Sequence, residues 1–554
     1  MSIITIIISI VTGTIFRLEK QKDLEKQKAI TRRDYIKTVG AAVAGLAVGG
    51  AIGYGAYPGL NPRPTNVVGP SASSFLQGGT LTLRHYDPVV VLDPQLVTGF
   101  AGYTVADNIF DRLVNFDQRG ASILPHLAYS WDMSGDGKEI TFHLWQGVKF
   151  HDGTELKASD VKFSFERVLD PKTQAPYFGY LAWIDKIEIV DDYTVKFSSK
   201  APVPLMLVTM ALAPSVVMNE KRVTELKGDL SSDLTNVGSG PFKFVEWKTN
   251  DHLTMNVNED YWRGRPYLDT IIIKDIPEPT TVGVAVQSGE IDLGAGIPYD
   301  MVDQMKANKG LRTADQVQLG CFYLGFNSAK EPFQDNVTLR RAFAYAIDYD
   351  AVLAEYKGHA PRVLGPFGPE LWGYPEDVKG YSYDPEQAKK LLADAGYPNG
   401  LDINFNTTDQ WSTDAEIIAS SFSKVGINAK LVHLDPAAHV AAMSGGDAVL
   451  FMCGWVLDMP DPDNILYFVF KSDQPTNWLH WKNDTVDELV EKARTIMDQD
   501  ERANLYKQVY KIVVDQVPLA AIYGPVMPWV WSAHVNGFTF GPTNQYILRD
   551  VWKK

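Results

Sequence analysis

The chain has 554 residues, of which 45% are hydrophobic and 21% charged, so it is long enough for about two to four folded domains of ordinary composition. Its formal net charge is −15, but residues 1–77 carry nine Lys+Arg against four Asp+Glu, which leaves a net of −20 on the remainder. An acidic body excludes nucleic acid and anionic membrane surfaces as main partners.

The N-terminal segment has the pattern of an export signal. Arg32 and Arg33 stand in "TRRDYIKTVG", directly before a Gly/Ala-rich apolar run, and this arrangement resembles a twin-arginine signal. Residues 39–56 would form a helix of about 27 Å, close to the thickness of a bilayer core. Cleavage near Ala56 and retention as a membrane anchor both stay open. The apolar first ten residues, "MSIITIIISI", favour an upstream start-site error.

Residues 57–77 are predicted to form a flexible tether. The folded part of the chain begins at Gly78, and its first half is rich in predicted strands. The segments "TLTLRH", "EITFHLW", "TVKFSS", "PFKFVEW" and "LTMNVNEDYW" read as strands, and "YLDTIIIKDIP" reads as a fully buried one. The segment "ASDVKFSFERVLD" predicts a helix with one apolar face. The segment "TVGVAVQSGEIDLGAG" predicts a helix that ends at Gly289, and then a short strand.

The second half alternates strands with helices. The strands are "CFYLGFNS", "LDINFNTT", "INAKLVHL" and "AVLFMCGW". Between them, "NVTLRRAFAYAIDYDAVLAEY" predicts one amphipathic helix capped by Asn336, and "DPEQAKKLLADAGYPNG" a helix capped by Asp384 that ends before Gly396. The alternation favours mainly parallel, doubly wound sheets. We therefore predict two α/β lobes, the first interrupted by a strand-rich insertion.

Sequence signatures of catalysis and of metal or cofactor binding are missing. The chain has no G-x-S-x-G elbow, Walker loop or G-x-G-x-x-G loop, and its "FHDG" segment reads as a tight turn. His433 and His439 read as surface residues. Cys321 and Cys453 are the only cysteines, and we expect two buried thiols, with a disulfide as the alternative. The pattern predicts a binding protein without metal or cofactor; an exported hydrolase is the alternative from another class.

Three aspartates, Asp458, Asp461 and Asp463, lie between two apolar runs in "CGWVLDMPDPDN". They could bind a metal, act as acid–base groups, pair with a cationic ligand or cap a helix. The spacing lacks the glycine and distal glutamate of an EF-hand, which speaks against calcium. The pattern "PDNILYFVF" predicts a helix with Asp461 as N-cap, Pro462 as its first residue and Asp463 in its first turn. The residues alone leave the role of Asp458 open.

Residues 123–168, "ILPHLAYSWDMSGDGKEITFHLWQGVKFHDGTELKASDVKFSFERV", resemble the signature of the family 5 extracellular solute-binding proteins, the dipeptide- and oligopeptide-binding components of ABC importers. The similarity continues through "VGSGPFKFVEW", "YDPEQAKKLLADAGYPNG" and "GWVLDMPDPDN", and so spans 78–554. It implies an α/β, two-lobed periplasmic-binding-protein-like fold with the ligand cleft between the lobes. Lobe I would comprise 78–318 and 523–554, with an insertion at about 122–215, and lobe II would comprise 319–522.

The resemblance also implies a function and a set of partners. The protein would be a monomeric receptor at the periplasmic or outer face of the membrane. It would capture peptides between closing lobes and deliver them to ABC permease subunits, without a cofactor. An oligosaccharide receptor on the same fold is the alternative.

The resemblance further implies ligand-binding residues. Asp458, four positions after Gly454, would hold the α-ammonium group of a peptide, a pairing that makes a buried carboxylate tolerable. Trp411 and Met452 stand where some relatives place Arg or His for the peptide carboxylate. That departure favours a longer peptide held by its N-terminus, or a sugar stacked on Trp411, Trp455 and Tyr177. The other residues expected to contact a peptide are Thr98, Gly99, Phe100, Tyr177, Gly454 and Val456.

Overall fold

The computed structural model describes residues 77–117, 122–542 and 544–554. The expectations for Arg32, Arg33, the 39–56 anchor and nearly all of the tether lie outside these ranges. Within them, no helix combines the length and apolar character needed to cross a bilayer.

The first sheet has seven strands. Thr80–Arg84 lies at its middle and forms the two parallel pairs, with Thr270–Lys274 and Leu293–Ala295, whereas the other neighbours run antiparallel. Its buried face includes Leu81 and Trp529. The strand order is Phe242–Lys248, His252–Val257, Thr270–Lys274, Thr80–Arg84, Leu293–Ala295, Val526–Ser532, Leu311–Val317.

The second sheet has five strands and a core on each face. Alternate residues of one strand divide between the two cores: Phe451 and Cys453 pack with one group of helices, Leu450 and Met452 with the other. This division is the period-two consequence of an extended chain. The strand order is Ile427–His433, Leu401–Thr407, Leu450–Val456, Gly320–Phe326, Leu519–Tyr523. The surrounding helices are Val337–Ala346, Tyr349–Glu355, Pro385–Asp394, Ser412–Ser423, Pro436–Ser444, Asp484–Ala493 and Gln499–Gln516.

A third, four-stranded antiparallel sheet takes two of its strands from the segment that resembles the family signature. It packs against the helix Ala158–Leu169, where the ring centroids of Phe165 and Phe197 are 5.0 Å apart. The aromatic residues of that segment are thus mainly core. The strands are Ala128–Met133, Glu139–Leu144, Thr194–Ser198 and Lys186–Asp191.

The remaining elements are short strands and helices that join these sheets. The strands are Asp111–Arg112, Val114–Phe116, Ile123–Pro125, Val216–Val217, Val535–Asn536 and Trp552–Lys553. The helices are Phe100–Ile109, Phe178–Leu181, Met206–Met210, Glu220–Glu225, Pro279–Ser288, Tyr299–Met305 and Asp463–Leu466.

A buried carboxylate, Asp111, links the signature segment to the first sheet. It accepts hydrogen bonds from His126 at 2.6 Å, Ser239 at 2.9 Å, Tyr261 at 2.8 Å and Trp262 at 3.0 Å. Burial opposes its charge, but these donors and the neighbouring imidazole outweigh burial and lower its pKa. A buried carboxylate whose hydrogen bonds are all satisfied fixes the position of the signature segment relative to the first sheet.

The chain passes between the first and second sheets twice. It leaves the first sheet after Leu311–Val317 and enters the second at Gly320, and it returns between Leu519–Tyr523 and Val526–Ser532. We call the first and third sheets with their helices the first lobe, and the second sheet with its helices the second lobe. Gly320 has φ +120°, and a Cβ there would lie 2.0 Å from the carbonyl oxygen of Trp455, so the crossover requires glycine.

Two expectations about the elements are wrong. The sheets are mixed rather than mainly parallel, because the strands that cross between the lobes pair antiparallel with their neighbours. The helix expected over "NVTLRRAFAYAIDYDAVLAEY" is two helices, since Asp348 accepts a hydrogen bond from the Ala351 amide and begins a second one. The caps at Asn336 and Asp384 are confirmed.

The close approach of Gly238 to the first lobe's helix yields a stability prediction. A Cβ on Gly238 would lie 2.0 Å from the carbonyl oxygen of Ile109, so Gly238→Ala should lower the free energy of unfolding by about 3 kcal/mol. Gly135→Ala, where no atom lies within 4 Å of the added Cβ, is the control and should change it by less than about 0.5 kcal/mol. Equal urea midpoints for the two variants would refute this packing.

Candidate functional site

A cleft of about 1130 Å³ lies between the two lobes. The first lobe contributes the start of the helix Phe100–Ile109 and the segment around Phe178–Leu181, and the second lobe contributes the end of the strand Leu450–Val456 and the residues after it. A volume of this size fits a ligand of several residues. Its walls are rich in aromatic side chains: Phe100, Tyr103, Tyr177, Phe178, Tyr180, Trp183, Trp455, Tyr467 and Phe468.

Seven of the nine predicted ligand-binding residues line this cleft: Thr98, Phe100, Tyr177, Gly454, Trp455, Val456 and Asp458. The other two, Gly99 and Trp411, are not part of that lining. Gly99 precedes the helix Phe100–Ile109 beside Asp87, whose carboxylate accepts the amides of Phe100 and Ala101; a Cβ at Gly99 would lie 2.2 Å from that carboxylate. Trp411 packs in the second lobe, with its ring centroid 5.8 Å from that of Phe322.

Asp458 faces the cleft without a cationic partner among the described residues. The hydroxyl of Tyr103 lies 3.5 Å from its Oδ1, and Tyr180 also donates toward the carboxylate. Burial raises the pKa of Asp458 to about 7, and the two hydroxyls only partly offset that effect. In the ligand-free protein, this carboxylate therefore gains a net charge only near neutral pH.

Three tyrosines surround this carboxylate. The rings of Tyr177 and Tyr180 stack with centroids 5.4 Å apart, and the hydroxyls of Tyr103 and Tyr177 share a short hydrogen bond. Burial and the nearby Asp458 raise the pKa of Tyr177 well above its ordinary value, so the phenols stay neutral donors. The arrangement presents one carboxylate, framed by neutral donors and π-faces, to whatever enters the cleft.

Asp461 has a role beyond the one expected. Its two oxygens each accept a hydrogen bond from Arg502, both at 2.9 Å, and the pair is buried. It also accepts the Asp463 amide at 3.0 Å, but the helix begins only at Asp463, with Pro462 in the N-cap position. The assigned helix thus begins one residue later than expected, but the Asp461 carboxylate makes the capping hydrogen bond that the sequence predicted, in addition to its pairing with Arg502.

Asp463 lies in the first turn of that short helix, as expected, but its side chain turns inward. It is fully buried, accepts a hydrogen bond from the Tyr506 hydroxyl at 3.0 Å, and lies 3.4 Å from Nε of Arg494. Burial raises its pKa, and Arg494 opposes that rise. Two of the three aspartates are thus paired with arginines, and Asp458 is not.

The strand Leu450–Val456 offers the cleft a backbone edge. It pairs with Gly320–Phe326 along its whole length, but it pairs with Leu401–Thr407 only at Leu450 and Phe451. Residues 452–456 therefore lack a strand partner on one side among the described strands. An extended ligand can add there by main-chain hydrogen bonds.

Two further expectations concern residues outside the cleft. His439 is buried rather than a surface residue, and its Nε2 lies 2.8 Å from the carbonyl oxygen of Met452. Cys321 and Cys453 are buried free thiols that are not joined by a disulfide, as expected. They point to the same core from neighbouring strands.

Sequence reasoning missed several cleft residues, notably Tyr103, Tyr180 and Arg494. Tyr180 carried a signal, because it follows Tyr177 by three positions and a helical turn places both on one side. Tyr103 stands four positions after Gly99, which was already assigned to the site. For Arg494, no local pattern separates a cleft cation from the other charges of its helix.

The two carboxylates Asp458 and Asp461 should respond oppositely to neutralisation. The folded pKa of Asp458, about 7, lies above its ordinary value of 3.8, so stability falls as pH rises through that window. We expect Asp458→Asn to raise the free energy of unfolding at pH 8, by on the order of 1–3 kcal/mol, and to leave it unchanged at pH 4. Asp461→Asn should lower it by about 3–5 kcal/mol, because Arg502 loses its partner.

Urea unfolding of ligand-free protein, prepared by unfolding and refolding, measures both effects. Loss of stability in both variants at pH 8 would mean that Asp458 has a cationic partner in the free protein.

Comparisons with known proteins identify the family. A family model described as bacterial extracellular solute-binding proteins, family 5, middle, matches residues 122–477. The chain is 33% identical to the heme-binding protein A of Haemophilus influenzae, over 80% of this chain and 85% of that protein. It is 29% identical to the dipeptide-binding protein of Escherichia coli K12, over 88% of this chain and 97% of that protein.

The solved structure of the ABC transporter-associated periplasmic binding protein DppA from Helicobacter pylori, in complex with the peptide STSA, has the same fold. It shares 31% identity with this chain at a TM-score of 0.79, covering 86% of this chain and 98% of that one. The expected two-lobed α/β fold is confirmed. The chain belongs to the family 5 bacterial extracellular solute-binding proteins.

Proposed function

We propose that this protein captures peptides with a free N-terminus between its lobes and delivers them to the membrane subunits of an ABC importer. The observation that carries the proposal is Asp458, a cleft carboxylate with no cation beside it. A peptide's α-ammonium group supplies the missing charge and three donors, and so offsets the desolvation of the carboxylate.

The rest of the cleft suits the main chain that follows such an ammonium group. The unpaired side of residues 452–456 can form backbone hydrogen bonds irrespective of side-chain sequence. The aromatic walls accept apolar side chains of varied shape. Together these features support a receptor that requires a free N-terminus but accepts peptides with varied side chains.

Relatives support peptides as the ligand class. The E. coli relative is named as a dipeptide-binding protein, and the H. pylori structure contains a bound peptide. The relative in H. influenzae is named for heme. The described lining of this cleft has no histidine or cysteine, and its tyrosines, a residue type that can also bind heme iron, include Tyr103, whose hydroxyl lies against Asp458. The sugar alternative relied partly on Trp411, which packs in the second lobe instead.

The proposal extends to the location of the protein and to the fate of its ligand. The pattern around Arg32 and Arg33 supports export. Residues 39–56 would then anchor the protein at the outer face of the cell membrane or be removed by cleavage. The receptor would act as a monomer and release its peptide chemically unchanged, rather than hydrolyse it.

The proposal predicts that affinity depends on the ligand's free amine. Asp458→Asn should weaken binding of an unblocked tripeptide by roughly a hundredfold or more, because a buried charge loses its partner. N-acetylation of the peptide should weaken binding to the wild type similarly, and the two losses should not add. Isothermal titration calorimetry at pH 7.5 measures all four combinations.

Asp185→Asn is the matched control. Asp185 also lines the cleft, but its carboxylate is 45% exposed and pairs with Lys200 at 2.8 Å, so its neutralisation makes the same charge change without touching the proposed clamp. We expect less than a threefold loss, as surface pairs contribute little, about 0–1 kcal/mol. Equal affinity of the wild type for free and acetylated peptides would rule out the clamp.

A further inference from the structure

A small recess adjoins the cleft at Asp458. It encloses about 20 Å³, whereas the cleft encloses about 1130 Å³. One water molecule needs about 10–15 Å³ of such space, so the recess has room for a water but not for a side chain or a peptide unit. Its walls include Tyr103, Asp107, Arg112, Ala213, Asp458 and Asn544.

Asn544 supplies the recess with a hydrogen-bond donor. Its side chain is 2% exposed, and its Oδ1 accepts a hydrogen bond from Nε2 of Gln318 at 2.5 Å. Its Nδ2 is buried without a hydrogen-bond partner among the described residues. A buried donor without a partner is destabilising, and an ordered water commonly satisfies such a group.

Asp458 supplies acceptors to the same recess. Its Oδ1 lies 3.5 Å from the hydroxyl of Tyr103, which is longer than the usual O–H···O bond of about 2.5–3.0 Å. The hydroxyl of Tyr180, which also donates toward this carboxylate, itself accepts a hydrogen bond from Asn464 at 2.9 Å. An ionised carboxylate can accept about four hydrogen bonds, so Asp458 has capacity for a further donor.

The charges around the recess favour a neutral occupant. Asp107 pairs with Arg112 at 2.6 Å and accepts the Tyr546 amide at 2.7 Å, so its charge is already compensated. The guanidinium of Arg112 disfavours a cation in so small a space, a ligand ammonium group included, and the carboxylate of Asp458 disfavours an anion. Within the described part of the chain, no cluster of three or more His, Cys, Asp or Glu side chains could hold a metal ion. Water both donates and accepts, and therefore matches Asn544 as well as Asp458.

We infer that the recess binds one water molecule, which accepts a hydrogen bond from Asn544 and donates one to the carboxylate of Asp458. Asn544 is then a positioning residue, because it acts on Asp458 through the water. This role rests on the proposed function, since the water stabilises the ionised form of Asp458, the form that binds an ammonium group. Gln318 lies in the crossover between Leu311–Val317 and Gly320–Phe326, so the same series of hydrogen bonds connects this carboxylate to the junction of the lobes.

Replacing Ala213 with valine tests the inference, because two added carbon atoms in the wall fill the space of one water. Without the water, Asp458 should keep its proton up to a pH about one unit higher, the effect of one hydrogen bond to a charged group. Relative to the wild type, Ala213→Val should bind an unblocked tripeptide about threefold more weakly at pH 7.5 and about tenfold more weakly at pH 6. It should also release about half a proton more per bound peptide at pH 7.5. Calorimetric titrations in buffers of different ionisation enthalpy measure both quantities.

Ala201→Val is the matched control. Ala201 lines the cleft but is not part of the recess, so the added methyl groups leave the water in place. Any change in the affinity of this variant should be the same factor at pH 6 and at pH 7.5, and its proton release should equal that of the wild type. Both variants keep the other titratable and charged groups that face Asp458, namely Tyr103, Tyr177, Tyr180, Asp107 and Arg112.

An Ala213→Val variant with wild-type proton release and the same affinity loss at both pH values would overturn the inference. A crystal structure of the wild type with bound tripeptide gives a test that needs no variant. At a resolution that shows other buried waters, we expect an ordered water within about 3.2 Å of both Nδ2 of Asn544 and an oxygen of Asp458. A recess without that water, or one that contains the ammonium nitrogen of the peptide, would contradict it. N-acetylation of the peptide reports separately on the clamp, so the proposed function fails only if that modification has no effect.

Discussion

The cost of burying an unpaired charge is the constraint on which this site depends. Asp458 lies in a cleft that raises its pKa to about 7, and the groups nearest to it are neutral phenols. Such a carboxylate destabilises the empty protein and becomes favourable only when a ligand brings a positive charge. Part of the binding free energy is therefore stored in the free receptor as an unfavourable electrostatic environment.

The neighbouring aspartates show that this environment is specific to one position. Asp461 and Asp463 are buried more deeply than Asp458, yet Arg502 and Arg494 accompany them. The paired residues hold the segment after the strand Leu450–Val456 against the long C-terminal helix of the second lobe. That support fixes the backbone next to Asp458, whose carboxylate faces the cleft rather than either arginine.

Local signals in the sequence predicted local structure well. The caps at Asn336 and Asp384 follow from side chains that accept the amide three residues on, and each works within one turn of helix. Asp348 caps a second helix by the same kind of hydrogen bond. The apolar residues keep their helical spacing across this position, however, so the sequence predicted one continuous helix. Strand direction was mispredicted because the crossovers, which have no local signature, decide how strands from distant parts of the chain pair.

The candidate site was predictable only where motif residues themselves line the cleft. Asp458 and Tyr177 stand in recognisable segments, but Tyr103, which approaches Asp458, is 355 positions away from it. Arg502 is 41 positions from Asp461, and nothing in "DQDERANLY" distinguishes it from a surface charge. Such partners depend on tertiary packing. For the same reason, the segments around Trp411 and Met452 gave no sign of Arg494, a cation that the fold brings to the cleft from another helix.

Proton release on binding tests the central claim most directly. A carboxylate with a pKa of about 7 in the free protein must lose its proton to pair with an ammonium group, so binding at pH 6 should release nearly one proton per peptide. The release should decline as the pH approaches 7.5 and vanish in Asp458→Asn. Calorimetric titrations of one peptide in buffers of different ionisation enthalpy measure the number of protons. A release near zero at pH 6, or the same release in Asp458→Asn, would contradict the account.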